Sequence, residues 1–287
     1  MGASFSIRDL LCLDTLFPAA PECPLCRLTS GGAGRSGICR RCLATMEGSR
    51  ARLARCNRCG KYVQEEGRCA DCRLREPCFL MAWSIGPYEG LLRQCIHDLK
   101  YQGFRGVARP LGRLMAERMW AQIPGGSWRN PWGDLRGAVL TPIPLHPEKL
   151  YRRNFNQAFL LAEAVSEAAG FPVFDMLARR EDRAAQAHLG RQERLRNLQG
   201  QFYVKEESIG GLSSTPRSSP TPRPSPFTRP SPSGRPGLSS RLGSASPVII
   251  VDDVYTTGAT VQEAAQALRQ AGVTRMYVLT AAAGMGL

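Results

Sequence analysis

The apolar residues of this chain change their spacing several times, and each change predicts a boundary. Residues Phe5, Ile7, Leu10, Leu11, Leu13, Leu16 and Phe17 recur at largely helical spacing until Pro18, which predicts an N-terminal amphipathic helix over 1–20. Periodicity then lapses from 21 to 77, where Cys, Gly and Arg dominate. From Cys78 it returns as an alternation of strands and helices. Phe79 to Ile85 reads as a strand. Leu91, Leu92, Cys95, Ile96 and Leu99 share one helical face, ended by Lys100-Tyr101-Gln102-Gly103. A second helix runs from Val107 to Trp120 on a stripe of Leu111, Leu114, Met115 and Met119, with Pro110 tolerated in its first turn. Ala138 to Pro144 is a buried strand running into a proline-stiffened turn, and Ala158 to Ala169 is a helix. A charged helical segment follows at 179–197, then a strand at Phe202-Tyr203-Val204. Val248 to Val251 is four β-branched residues in a row, the pattern of a strand buried on both faces. A helix from Val261 to Ala271, stopped by Gly272, and a strand from Met276 to Thr280 close the chain. Strands alternating with helices predict an α/β fold, a parallel sheet flanked by helices over 78–287.

One stretch interrupts that alternation. Over 206–247 Pro, Ser, Gly and Arg dominate, and no acid follows Glu207. Arginines recur at Arg217, Arg223, Arg229, Arg235 and Arg241. Such a sequence cannot bury a core and predicts a disordered insertion, partly polyproline II, in a surface loop. Loops tolerate insertions because closure entropy grows slowly with length. Two readings stand: a neutral expansion, or a basic tether for nucleic acid.

The 21–77 segment carries different chemistry. The chain has 11 cysteines, and eight form Cys-x-x-Cys pairs: Cys23 with Cys26, Cys39 with Cys42, Cys56 with Cys59, and Cys69 with Cys72. Each pair can present two thiolates to one ion, and four thiolates make a closed tetrahedral zinc site. Pairing in consecutive order gives two structural zinc sites, a double zinc ribbon; pairing the first with the third remains open. So little apolar content cannot fold alone, so metal must supply the stability, about 10 kcal/mol per structural zinc at neutral pH. This cysteine usage fits a reducing compartment and a cytoplasmic protein. Cys12, Cys78 and Cys95 fall outside the pattern and read as buried free thiols.

The net charge is +14, which points to anionic partners, whether phosphorylated small molecules, nucleic acid or both. The ribbon is basic through Arg40, Arg41, Arg50, Arg52, Arg55, Arg58 and Lys61, which suits a phosphate backbone or simply a solvated scaffold. It has little aromatic interleaving, so a base-stacking platform is not expected there. No apolar run reaches the roughly 20 residues of a membrane span.

Two places concentrate candidate chemistry. After the strand at 248–251 come Asp252 and Asp253, then the small hydroxyl-rich loop Thr256-Thr257-Gly258-Ala259-Thr260 opening a helix. Loop amides and the positive end of the helix can hold a phosphate. Twin carboxylates can accept hydrogen bonds from vicinal hydroxyls, or hold them through a divalent cation. After the strand at 138–144 come His146, Lys149, Arg152, Arg153, Asn154, Asn156 and Gln157, which read as a second anion site at a strand end or as a basic loop with a helix cap.

The stretch from Val248 to Thr260 resembles, along its whole length, the phosphoribosyl pyrophosphate (PRPP) signature of type I phosphoribosyltransferases; only Tyr255 is bulkier than usual there. Pro142-Ile143-Pro144-Leu145-His146-Pro147, Asn154-Phe155-Asn156-Gln157-Ala158 and Leu99-Lys100-Tyr101-x-Gly103 extend the likeness. In this order of parts the chain resembles the ComF family of competence-associated proteins, which join a zinc ribbon to a type I phosphoribosyltransferase domain. Arg183 departs from that pattern, where threonine is more usual, while Gln186, Leu189, Arg194 and Asn197 fit it. The resemblance implies that Asp252 and Asp253 hold the ribose hydroxyls, directly or through Mg²⁺. It implies that Thr256, Thr257, Gly258, Ala259 and Thr260 cradle the 5′-phosphate, and that His146, Lys149, Arg152, Arg153, Asn156 and Gln157 face the pyrophosphate. Asp252, Asp253 and Lys149 would stand at the reacting centre if transfer occurs. It also implies single-stranded DNA as a partner, natural transformation as the setting and other competence proteins as contacts. The alternative is a metabolic phosphoribosyltransferase acting on a base or amine.

Overall fold

The computed structural model describes residues 22–28, 37–123, 135–180, 200–205 and 246–286. The expected N-terminal helix, most of the charged segment at 179–197 and the 206–247 insertion up to residue 245 lie outside the described residues.

The centre is a four-stranded parallel sheet in the order β3-β8-β7-β4, formed by β3 (Met81–Pro87), β4 (Val139–Pro142), β7 (Val248–Tyr255) and β8 (Met276–Ala283). The fold is thus the expected α/β architecture. Every residue of the middle strand β8 is buried, as are the first four of its neighbour β7. Successive residues of a strand point to opposite faces, so the sheet divides the interior in two. Trp83, Ile85, Ile249, Val251, Tyr277 and Leu279 belong to one core. Ala82, Val248, Ile250, Met276 and Val278 belong to the other. Trp83 and Tyr277, on neighbouring strands, stack with ring centroids 5.2 Å apart.

Three helices cover the first face: α3 (Gly90–Tyr101), α4 (Ala108–Trp120) and α6 (Gln157–Ala169). Helices α4 and α6 approach closely at Gly112, where a Cβ would lie 2.3 Å from the Cβ of Ala164. The opposite face is covered by α7 (Ala259–Gln270) and by a small antiparallel pair, β5 (Leu177–Arg179) with β6 (Phe202–Val204). The stretch after β4, expected as a stiff turn, instead forms a short helix, α5 (Pro147–Arg153). His146 caps it, Pro147 occupies its first turn where no N–H is needed, and Asn154 ends it in the left-handed conformation at φ 59°.

The cysteine-rich segment contributes α1 (Arg40–Ala51), the hairpin β1 (Ala54–Arg55) with β2 (Tyr62–Val63), and α2 (Ala70–Leu74). It does not pack on itself. Cys23, Leu25, Ile38, Cys39, Cys42 and Met46 join the core on the α3 face. Cys56, Cys59, Tyr62, Val63, Cys69 and Cys72 join the core on the α7 face. The second half is also tied to the end of the sheet by backbone. The Tyr62 N–H donates to Gly284 O at 3.1 Å, and the Gly286 N–H donates to Tyr62 O at 2.7 Å.

Candidate functional site

The eight paired cysteines gather as two clusters, Cys23/Cys26/Cys39/Cys42 and Cys56/Cys59/Cys69/Cys72, the sulfurs of each within 4.8 Å of one another. Zn–S bonds of about 2.3 Å in a tetrahedron place sulfurs about 3.8 Å apart. Here Cys23 and Cys42 are 3.9 Å apart, Cys26 and Cys39 3.8 Å, and Cys59 and Cys69 3.5 Å. Both clusters therefore fit zinc, and the pairing is consecutive rather than interleaved. The local chain prepares them. Cys39 stands at the N-cap of α1 and its sulfur accepts from the Cys42 N–H at 3.5 Å, while Cys23 Sγ accepts from the Cys39 N–H at 3.4 Å. Burial opposes ionisation of Cys23, but backbone N–H donors from Cys39, Cys26 and Leu25 outweigh it and bring the thiol down to about 6. Burial pushes Cys72 up to about 12, with Cys56 and Cys69 adding to it. Four crowded thiols cannot all ionise alone, and a dication supplies the missing counter-charge.

Of the remaining cysteines, Cys95 is buried and its thiol is pushed up to about 12 by burial, as expected of an inert one. Cys78 is half-buried and exchanges hydrogen bonds with Gln262: its N–H donates to Oε1 and its sulfur accepts from Nε2, both at 3.0 Å.

At the end of β7 the twin carboxylates part company. Asp253 is buried against α3, where Lys100 Nζ meets its Oδ1 at 2.8 Å; its Oδ2 is buried without a hydrogen-bond partner among the described residues. Asp252 is half-buried, and its Oδ1 accepts the Asp253 N–H at 2.8 Å. Burial first, then the charge of Asp253, push the Asp252 carboxyl up to about 8, against the pull of the Asp253 amide and Lys100. Lys100, at the end of the Leu91–Leu99 stripe and within Leu99-Lys100-Tyr101-x-Gly103, reads from the sequence either as a solvated helix end or as a group able to reach an anion; the structure turns it onto Asp253 at this candidate site.

Beyond the carboxylates, Thr256 and Thr257 are exposed, Ala259 and Thr260 half-buried. Gly258 turns the chain into α7 at φ +78° and provides no side-chain cap. The Ala259 N–H donates to Thr257 Oγ1 at 3.4 Å. Tyr255 explains its own size. Its ring is buried edge-on to Phe79 at 6.1 Å, and a Cβ on Gly258 would lie 2.1 Å from the Tyr255 hydroxyl oxygen. Burial raises the Tyr255 phenol, and Cys59, Cys72 and Cys69 raise it further, so the ring sits between the loop and the second cysteine cluster. A cavity of about 230 Å³ there is lined by Asp71, Cys72 and Arg75 on one side and Thr257, Gly258 and Ala259 on the other.

Helices α3 and α5 enclose a larger cleft, about 490 Å³, lined by Lys100, Tyr101, Gly103, Lys149, Arg152, Arg153 and Phe155. Its four charged side chains are all cations. Burial lowers Lys149, and the neighbouring charges of Arg179, Arg153 and Lys100 lower it further. The other residues expected on the pyrophosphate do not line it. His146 Nδ1 accepts from the Glu148 N–H at 3.3 Å and caps α5. Asn156 caps α6 through the Ala158 N–H at 2.9 Å and donates to Ile143 O at 2.9 Å. Buried Gln157 accepts from Arg153 at 3.1 Å. These three hold the helices and Arg153 in place.

Three of the ribbon's cations are spent inside the molecule. Arg55 donates to Gln122 at 3.0 Å and to Ala82 O at 3.4 Å, Arg58 donates to Leu80 O at 2.8 Å, and buried Lys61 pairs with Asp71 at 2.5 Å. Arg40, Arg41 and Arg52 remain exposed.

Comparison with known proteins agrees with this layout. Residues 12–73 match the family model described as a double zinc ribbon domain. The chain is similar to the DNA utilization protein YhgH of Salmonella typhimurium, 26% identical over 89% of this chain and 94% of that one. It is similar to competence protein F of Haemophilus influenzae, 25% identical over 85% of this chain and 89% of the other. Against competence protein ComFC of Streptococcus pneumoniae it is 25% identical over 83% of each chain. Among the described residues, no helix is long and apolar enough to cross a membrane.

Proposed function

Starting from the resemblance to the ComF family, which these likenesses bear out, we propose that this chain binds PRPP with Mg²⁺ and serves in the handling of incoming single-stranded DNA. The observation that carries the reading is the convergence of two unlike features. An acid pair stands at the end of β7, and a cleft with only cationic charged side chains is joined to it through Lys100.

The parts fall into place for an activated pentose phosphate. Half-buried Asp252 is the carboxylate free to meet ribose hydroxyls or the ion; Asp253 fixes Lys100 at the cleft. The 5′-phosphate would sit on Thr256 to Thr260, at the positive end of α7. The diphosphate would sit on Lys149, Arg152 and Arg153. Where transfer takes place, departure of the diphosphate leaves an oxocarbenium-like C1′. These cations would stabilise the leaving charge, and positioning would do the rest without a covalent nucleophile. Mg²⁺ would neutralise diphosphate oxygens when bound. The DNA role follows the names of the relatives, DNA utilization and competence proteins.

Isothermal titration of PRPP with Mg²⁺ tests the reading. Wild type should bind, and Asp252→Asn should weaken binding at least tenfold. Pyrophosphate release on adding a free base, with no affinity for single-stranded DNA, would favour a metabolic phosphoribosyltransferase.

A further inference from the structure

The mouth of the cationic cleft carries groups that a diphosphate does not need. Helix α3 ends at Tyr101, 64% exposed, and the chain continues through Phe104, 39% exposed, into a 3-10 turn at Arg105–Val107. Each ring around the mouth has a guanidinium over it. Arg153 lies 5.0 Å from the Tyr101 ring centroid, Arg27 4.0 Å from that of Phe104, and Arg105 4.6 Å from that of Phe155. The guanidinium groups are anchored too: Arg27 pairs with Asp98 at 2.7 Å, Arg105 donates to Asn154 O at 3.4 Å, and Arg153 to Gln157 at 3.1 Å. Phe155 is buried in the core beneath Arg105, while Tyr101 and Phe104 stay at the surface beside Arg153 and Arg27.

Exposed rings interleaved with cations are what a single strand requires. Unpaired bases stack on aromatic faces, and the backbone follows the positive charge. A duplex hides its base faces, and a small phosphate has no use for the rings. The ribbon has exposed arginines as well, but its one ring among the described residues, Tyr62, is buried, so it has no such interleaving there.

We propose that single-stranded nucleic acid lies across this rim, with bases on Tyr101 and Phe104 and phosphates on Arg105, Lys149, Arg152 and Arg153. Because Lys149, Arg152 and Arg153 also line the cleft, the strand and the diphosphate end of PRPP compete for the same cations. The location stands on the rim alone; the competition rests on the PRPP reading.

Fluorescence anisotropy with labelled oligo-dT and the full zinc-loaded chain tests both halves. Stacking of about 1–3 kcal/mol per base predicts a loss of about tenfold or more for Tyr101→Ala, with recovery in Tyr101→Phe. Inorganic polyphosphate, which has no bases, should bind Tyr101→Ala and wild type equally. Arg152→Glu, at an exposed position, should weaken oligo-dT and flatten its salt dependence. Arg40→Ala/Arg41→Ala should change little. Unlabelled PRPP with Mg²⁺ should displace oligo-dT from wild type. The location is overturned if Tyr101→Ala and Arg152→Glu bind as wild type while the ribbon variant fails. The competition is overturned if PRPP binds by titration yet displaces nothing. If PRPP does not bind at all while the rim variants lose oligo-dT, the PRPP reading fails and the location holds.

Discussion

The two cysteine clusters share their ligands and the Cys-x-x-Cys spacing within each pair, yet they support different halves of the candidate site. The first lies on the α3 face among Trp83, Ile96 and Leu99. From its turn Arg27 reaches Asp98 and Phe104, so it braces the end of α3 where Lys100 and Tyr101 begin the cationic mouth. The second lies on the α7 face with Phe79 and Tyr255, across a cavity from the loop that would hold the 5′-phosphate. Identical metal chemistry thus ends in two mechanical roles, because the sheet separates the places where the two knots are tied. The two halves of the ribbon buttress opposite faces of the sheet.

Loss of either zinc should have the largest effect. Structural zinc contributes on the order of 10 kcal/mol to such segments, so Cys39→Ser or Cys59→Ser should lower thermal stability sharply. The comparison sharpens in hydrogen exchange. Cys39→Ser should first release amides around 98–105, and Cys59→Ser those around 256–262. If both variants loosen the same amides, the division of roles is broken.

Next in size is Lys100→Met. It strands a buried carboxylate, which costs about 3 kcal/mol or more in denaturant titration, and adding Asp253→Asn should recover most of that. Gly258→Ala should follow at about 2–3 kcal/mol, since it needs positive φ and meets the Tyr255 ring. Gly258→Ala/Tyr255→Leu should regain part of the loss only if that ring is what sets the loop.

The smallest effect is a pH dependence. Asp252 holds its proton in the folded state up to about 8, far above an unfolded aspartate. The folded state therefore binds more protons between about pH 4 and 8, and this contribution to stability is lost as pH rises through that window. Asp252→Asn should stabilise the ligand-free protein at pH 8, on the order of 1 kcal/mol after solvent screening, and make no difference below about pH 4. Equal stability of the two proteins across that range would show that the carboxyl is not desolvated as described.

Much of this was legible in the chain. Short apolar runs and period-3.6 patterns located the sheet strands and long helices, and the cysteine pairs located both metal clusters. Helix α5 was hidden because His146-Pro147 reads as a turn when the cap that starts a short helix is not visible. The fate of the ribbon arginines was hidden because a long side chain can turn toward a carbonyl or toward water, and composition does not record which. In the sequence Lys100 reads as a helix end that reaches an anion or only water; the sheet order is what places Asp253 beside it. The stacking rim was hidden for the same reason: Arg27, Phe104 and Arg153 are brought together only by the fold.

The most direct test is titration calorimetry of PRPP with Mg²⁺ into wild type, Asp252→Asn and Lys149→Ala/Arg152→Ala. Micromolar-range binding by wild type is expected, with each variant weakened at least tenfold although still folded. Wild-type heats no larger than those of dilution, or variants that bind as well as wild type, would contradict an activated pentose phosphate at the end of β7.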